Sequence, residues 1–91
     1  MSHIHKDNKK ILTRVRRIKG QAEALEKLLE TQPDCSQVLQ QIAAIRGATN
    51  GLMTQVLESH IREHLGDASI SESERQGEVE QVIQILKSYL K

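Results

Sequence analysis

The chain has 91 residues, 27% charged and 37% hydrophobic, with one tyrosine and no Phe or Trp, so it is one small domain whose core must come from Leu, Ile, Val, Ala and Met. A single cysteine excludes an intrachain disulfide framework, and no apolar run approaches the roughly 20 residues of a membrane span, so a soluble, cytoplasmic protein is expected. Net charge is only +1, yet residues 1–19 carry Lys6, Lys9, Lys10, Arg14, Arg16, Arg17 and Lys19 against Asp7 alone (+6), while the other 72 residues carry six Lys/Arg against eleven Asp/Glu (−5).

A basic segment on an acidic body is the footprint of a polyanion partner. The first six residues, MSHIHK, lack periodicity and read as a mobile N-terminal arm carrying His3 and His5. Asp7 is placed to cap a helix, and Ile11/Leu12, Val15, Ile18, Ala22, Leu25 and Leu28/Leu29 keep a 3-4 spacing that predicts a first helix over about residues 8–30. Gly20 costs that helix about 1 kcal/mol relative to alanine, which a closely packed second backbone would explain.

Thr31-Gln32-Pro33 ends the first helix, because residues before proline avoid the α region. Asp34 with Gln37 three residues on forms a capping-box-like pair, and the apolar spacing from there to Leu65 predicts one long amphipathic helix. Cys35 falls at its first position, where the positive end of the helix dipole favours the thiolate, the form that binds metals or attacks electrophiles. Gly66 is the expected C-terminal cap. Ser71 with Glu74 then opens a third helix whose apolar residues are Val79, Val82, Ile83, Leu86, Tyr89 and Leu90. The fold class is therefore all-α, with three helices in a single domain spanning residues 1–91.

The long helix carries the chemistry. His60 and His64 are spaced i, i+4, so both imidazoles lie on one face about 6 Å apart, suited to chelating one metal ion. Cys35 returns to within roughly 20° of that face but lies roughly 37 Å away along the axis. One copy cannot join them. Two copies packed antiparallel can, crossing at the small residues Gly47 to Gly51, which predicts a two-fold dimer with two Cys/His clusters. His3 on the arm is a candidate further ligand. One thiolate among imidazoles suits nickel, cobalt, zinc or copper(II).

Lys10, Arg14 and Arg17 share one face of the first helix, Lys19 adds to its charge, and Arg46 lies within roughly 20° of the Cys35/His60 face. This cationic stripe is the candidate DNA surface, with Arg46 either extending it or pairing with a carboxylate inside the assembly. Helix-turn-helix, zinc-finger and basic-zipper patterns are absent from the sequence, so recognition would rest on backbone charge and DNA shape. Glycine-rich phosphate loops and nucleophile elbows are likewise absent, and the chain is not expected to be an enzyme.

The segments ILTRVRRIKGQAEALEKLLE, Cys35 and VLQQIAAIRGATNGLMTQVLESHI resemble the CsoR/RcnR/FrmR family of bacterial transcriptional repressors over essentially the whole chain. The resemblance implies antiparallel four-helix-bundle dimers that pair into disc-shaped tetramers, bind operator DNA, and are released by an effector. It also implies four sensing positions, here His3, Cys35, His60 and His64, a set similar to that of the nickel/cobalt branch, whereas copper sensors have a cysteine where this chain has His64. The formaldehyde branch typically has proline after the initiator Met, whose amine would be cross-linked to the cysteine, and an acidic residue at the last sensing position; this chain has Ser2 and His64. LTRVRRIKGQ and VLESHIRE look closer to the formaldehyde branch, but the sensing positions govern the chemistry. The expected function is thus an operator-binding repressor released by nickel or cobalt. The alternatives are a formaldehyde-responsive repressor using Cys35 and a metal-storage or chaperone protein, against which the basic segment argues.

Overall fold

The structure, a computed structural model, describes residues 8–90. The arm with His3 and His5, and the expected Asp7 cap, lie outside the described residues. Three helices account for the fold: α1 (Asn8–Glu30), α2 (Cys35–His60) and α3 (Glu72–Tyr89), with no strand among the described residues.

The boundaries follow local chemistry. At the end of α1 the backbone N–H and the hydroxyl of Thr31 both donate to the Leu28 carbonyl (3.1 and 2.7 Å), and Pro33 stops the helix two residues later. Asp34 then takes an extended conformation (φ −67°, ψ 145°), and its N–H donates to Gln37 Oε1 at 3.1 Å, starting α2 at Cys35. Ser71 caps α3 as the sequence suggests, its Oγ accepting from the Glu74 N–H at 3.1 Å.

The long second helix departs from regularity at its end. Residues Ile61–Leu65 form one π-helical turn, closed by the Gly66 N–H donating to the Ile61 carbonyl at 3.0 Å. Gly66 caps this turn at φ −81°, on the right-handed side, so the reason for glycine is space. A Cβ there would lie 2.8 Å from the Arg62 carbonyl oxygen.

Both flanking helices run antiparallel to α2. Gln41 Nε2 donates to the Gln21 carbonyl at 3.1 Å and Arg14 reaches Gly51, so α1 lies along nearly the full length of α2. From α3, Glu78 meets His60 and the Tyr89 hydroxyl donates to Asn50 Oδ1 at 3.0 Å, while Arg75 donates to the carbonyls of Leu65 and Asp67.

This arrangement gives a plate of 57 × 29 × 15 Å, little more than one helix thick. Its radius of gyration is 17.3 Å, against about 12 Å for a compact domain of this length. Ile11 and Val82 are the buried hydrophobic residues among the described ones, whereas Leu39 is 60% exposed and Ile42 46%. The apolar stripes that periodicity assigned to a core thus remain on the surface of the single chain.

Candidate functional site

Two clusters of functional side chains lie toward the same end of the α1–α2 pair. The first is the histidine pair. At the junction of α2 with the π turn, the His60 and His64 rings stand with centroids 4.8 Å apart and planes tilted by 46°. His60 is buried and His64 half-buried.

Residues from α3 hold this segment. His60 Nε2 lies 3.0 Å from Glu78 Oε2, a histidine–carboxylate contact at the side of the ring that faces α3. Three residues earlier on α3, Arg75 grips the carbonyls of Leu65 and Asp67, just past His64. The Asp67 carboxyl is held below its ordinary value, first by the hydrogen bond from the Ser69 hydroxyl (2.7 Å), then by the Ser69 N–H (2.8 Å), with Arg75 and His64 adding attraction. Sequence spacing identified the two histidines but neither Glu78 nor Arg75, because their contacts arise from the way α3 folds back across the loop.

Cys35 is exposed at the opposite end of α2, separated from His60 by 25 positions, which is roughly 37 Å of helix. The structure therefore brings His60 and His64 together and leaves Cys35 apart, as the sequence geometry requires for one chain. Among the described residues no group of three or more His, Cys, Asp or Glu is poised around one metal position. His3 lies outside the described residues.

The second cluster is a cationic groove between α1 and α2, lined by Lys9, Lys10, Thr13, Arg14, Arg17 and Gln55. It contains three of the five residues assigned to DNA from the sequence, Lys10, Arg14 and Arg17. Lys19 and Arg46 are exposed and lie outside it. Lys9 was legible as a neighbour in the same basic run, whereas Gln55 enters from the other helix and becomes visible only with the pairing of α1 and α2. Four cationic side chains around one groove are suited to a phosphate backbone.

Residues 7–88 match the family model described as "Metal-sensitive transcriptional repressor". The chain belongs to this family, the CsoR/RcnR/FrmR repressors. Its members are transcriptional repressors, not enzymes, and operator DNA is the implied partner. Among its relatives is an uncharacterized protein in the bioA 5′ region of Serratia marcescens, 62% identical over 91 residues that make up 100% of both chains. The transcriptional repressor RcnR of Citrobacter koseri is 45% identical over the same full length. A glutamate-to-histidine variant of the formaldehyde-responsive regulator FrmR from Salmonella enterica serovar Typhimurium has a similar structure, with a TM-score of 0.86 and 46% identity, covering 92% of this chain and 94% of that one. The all-α, three-helix fold read from the sequence is that of this family. No described helix is long and apolar enough to cross a membrane.

Proposed function

We propose that this repressor leaves its operator when nickel or cobalt binds at His60 and His64 of one chain and Cys35 of a second, with His3 joining from the arm. The observation that carries the reading is the histidine pair, two imidazoles 4.8 Å apart at the end of α2, one of them set against a carboxylate. Overall similarity does not choose the effector, since the RcnR relative and the formaldehyde-responsive FrmR variant are 45% and 46% identical to this chain. The donor set supports a metal: two imidazoles and one thiolate suit nickel or cobalt, as they do zinc or copper(II), and a formaldehyde reaction at Cys35 makes no use of His64.

The second chain is needed on two independent grounds. Cys35 lies a helix length from the histidines of its own chain, and the single chain exposes apolar side chains such as Leu39 and Ile42 on α2. Antiparallel pairing of two α2 helices, within a four-helix-bundle dimer that pairs again into a tetramer, covers those faces and closes two equivalent sites. The α1–α2 pairing sets Lys9 and Lys10, near the start of α1, beside Gln55, five residues before His60, and five residues of chain can span about 17 Å, which supports a reach from position 3 to the histidines.

When bound, the ion supplies a reason for these groups to converge. Within the protein, Glu78 fixes the His60 ring, Arg75 anchors the backbone beyond His64, and the arm leads into the α1 segment that bears Lys9, Lys10, Arg14 and Arg17. Drawing the arm toward the histidines selects a placement of α1 that no longer matches the phosphate spacing, provided the ion has unequal affinity for the two states.

The deciding experiment is an anaerobic titration of the reduced protein–operator complex with cobalt(II), recording thiolate-to-cobalt absorption and DNA fluorescence anisotropy together. Rising absorption with falling anisotropy at one metal per chain is the expected result. Weak cobalt binding with the DNA retained would refute the metal reading, and release by formaldehyde in its place would establish the alternative.

A further inference from the structure

Glycine in the middle of a helix is unfavourable, and α2 has two, Gly47 and Gly51. Their surroundings differ. A Cβ built on Gly47 meets nothing within 4 Å, whereas one on Gly51 would lie 2.7 Å from Nη1 of Arg14 and 3.8 Å from its Cζ. The guanidinium of Arg14 therefore occupies the space that any other residue at position 51 would fill. Arg14 also lines the cationic groove, together with Lys9, Lys10 and Arg17 from its own helix and Gln55 one turn beyond Gly51 on α2. Tyr89 donates to Asn50, immediately before Gly51, which ties α3 to this part of α2.

From this juxtaposition we infer that Gly51 is a positioning residue for operator binding: it provides the seat that holds the Arg14 guanidinium in the phosphate-binding groove. An arginine side chain free in solvent samples many rotamers and loses that freedom when it grips a phosphate. Seated against the bare backbone of Gly51, the long side chain is ordered before DNA arrives. A methyl group at position 51 displaces only the flexible end of Arg14, so the helix accommodates it while the pre-ordering is lost. The inference rests on the reading of Arg14 as a DNA-contacting residue.

The test is a double-mutant cycle on the full-length protein, using Gly51→Ala, Arg14→Ala and the double variant, with operator affinity read by fluorescence anisotropy at fixed salt. Gly51→Ala is expected to weaken operator binding by about three- to tenfold for each groove engaged, the equivalent of one immobilised side chain. Its melting temperature is expected to match or exceed the parent's, since alanine favours helix more than glycine, and unchanged sedimentation shows that the added methyl leaves the crossing of two α2 helices intact. In the Arg14→Ala background, Gly51→Ala is expected to have no further effect on affinity. Gly77→Ala on α3, where a Cβ meets nothing within 4 Å, is the control.

Two outcomes overturn the inference while leaving Arg14 in the DNA interface. One is that Arg14→Ala weakens binding and Gly51→Ala does not. The other is that Gly51→Ala costs as much without Arg14 as with it, or lowers the melting temperature or breaks the assembly, which would make the glycine a packing residue. If Arg14→Ala itself leaves operator affinity unchanged, the reading of Arg14 fails and the positioning role falls with it.

Discussion

Raising salt is the most direct perturbation of the cationic groove, and its four cations set how steep the response should be if the groove holds the operator backbone. Lys9, Lys10, Arg14 and Arg17 line one groove. If each neutralises one phosphate, counterion release gives log K against log salt a slope of about −3.6 per groove and about −7 for a dimer engaging two. Between 50 and 200 mM salt, affinity then falls roughly 150-fold for one groove and by roughly four decades for two. Anisotropy of a labelled operator across that range measures the slope. Removing one of these cations should flatten it by about 0.9 per groove engaged, so Arg17→Ala is the informative variant. Lys27, in the last turn of α1, is the matched control, and Lys27→Ala should leave the slope alone. A parent slope shallower than about −2, or equal slopes for Arg17→Ala and Lys27→Ala, would refute the assignment of the groove to phosphate.

The apolar face of α2 makes a second prediction. Leu39→Glu, at a position 60% exposed in the single chain, should be nearly neutral in a monomer, so dissociation of the assembly by analytical ultracentrifugation would show that a second chain covers it. Glu78→Gln removes the carboxylate beside His60 and should lower cobalt affinity by about ten- to hundredfold with the fold retained by circular dichroism; an unchanged affinity would deny Glu78 any part in the site. Gly66→Ala forces a Cβ to 2.8 Å from the Arg62 carbonyl and should cost about 1–3 kcal/mol in denaturant unfolding, since backbone rather than a flexible side chain must yield. His3→Leu should weaken metal-induced release more than it weakens operator binding, and unchanged metal affinity and induction would remove the arm from the mechanism.

Much of this was legible in the sequence because it depended on local rules. The three helices, the stops at Thr31 and Pro33, and the caps at Asp34 and Ser71 follow from side chains that bond to their own neighbours within three residues. The His60/His64 pair was legible for the same reason, since i, i+4 spacing needs only a helix. The π turn was not. It depends on i to i−5 bonding such as that from Gly66 N–H to the Ile61 carbonyl, and the apolar pattern through Leu57, Ile61 and Leu65 is compatible with an unbroken α-helix. Glu78 and Arg75 were equally hidden, because their partners lie across a loop whose path no periodicity encodes. Gly51 shows the difference most clearly. Its sequence context suggested a close approach of two copies, and the contact it makes within its own chain, with an arginine from the preceding helix, had no signal in the spacing.

Both clusters adjoin the C-terminal part of α2, the histidines on it and the α1 cations across from it, which bears on how sensing would reach DNA. Gln55, in the wall of the groove, and His60 are five residues apart, roughly 7.5 Å along the helix axis. α3 touches this region twice, at His60 through Glu78 and at Asn50 through Tyr89, so it spans from the histidines to the seat of Arg14. An effector that changes the packing of α3 against His60 therefore acts on a helix that also contacts Asn50, next to the seat of Arg14, and no long relay is needed. Such coupling is reciprocal: whatever factor the metal removes from operator affinity, the operator must remove from metal affinity. Measuring cobalt affinity with and without operator, against the operator affinity with and without cobalt, closes that cycle. Failure of the two factors to agree would mean that the protein occupies states, such as a dissociated dimer, outside the two-state scheme.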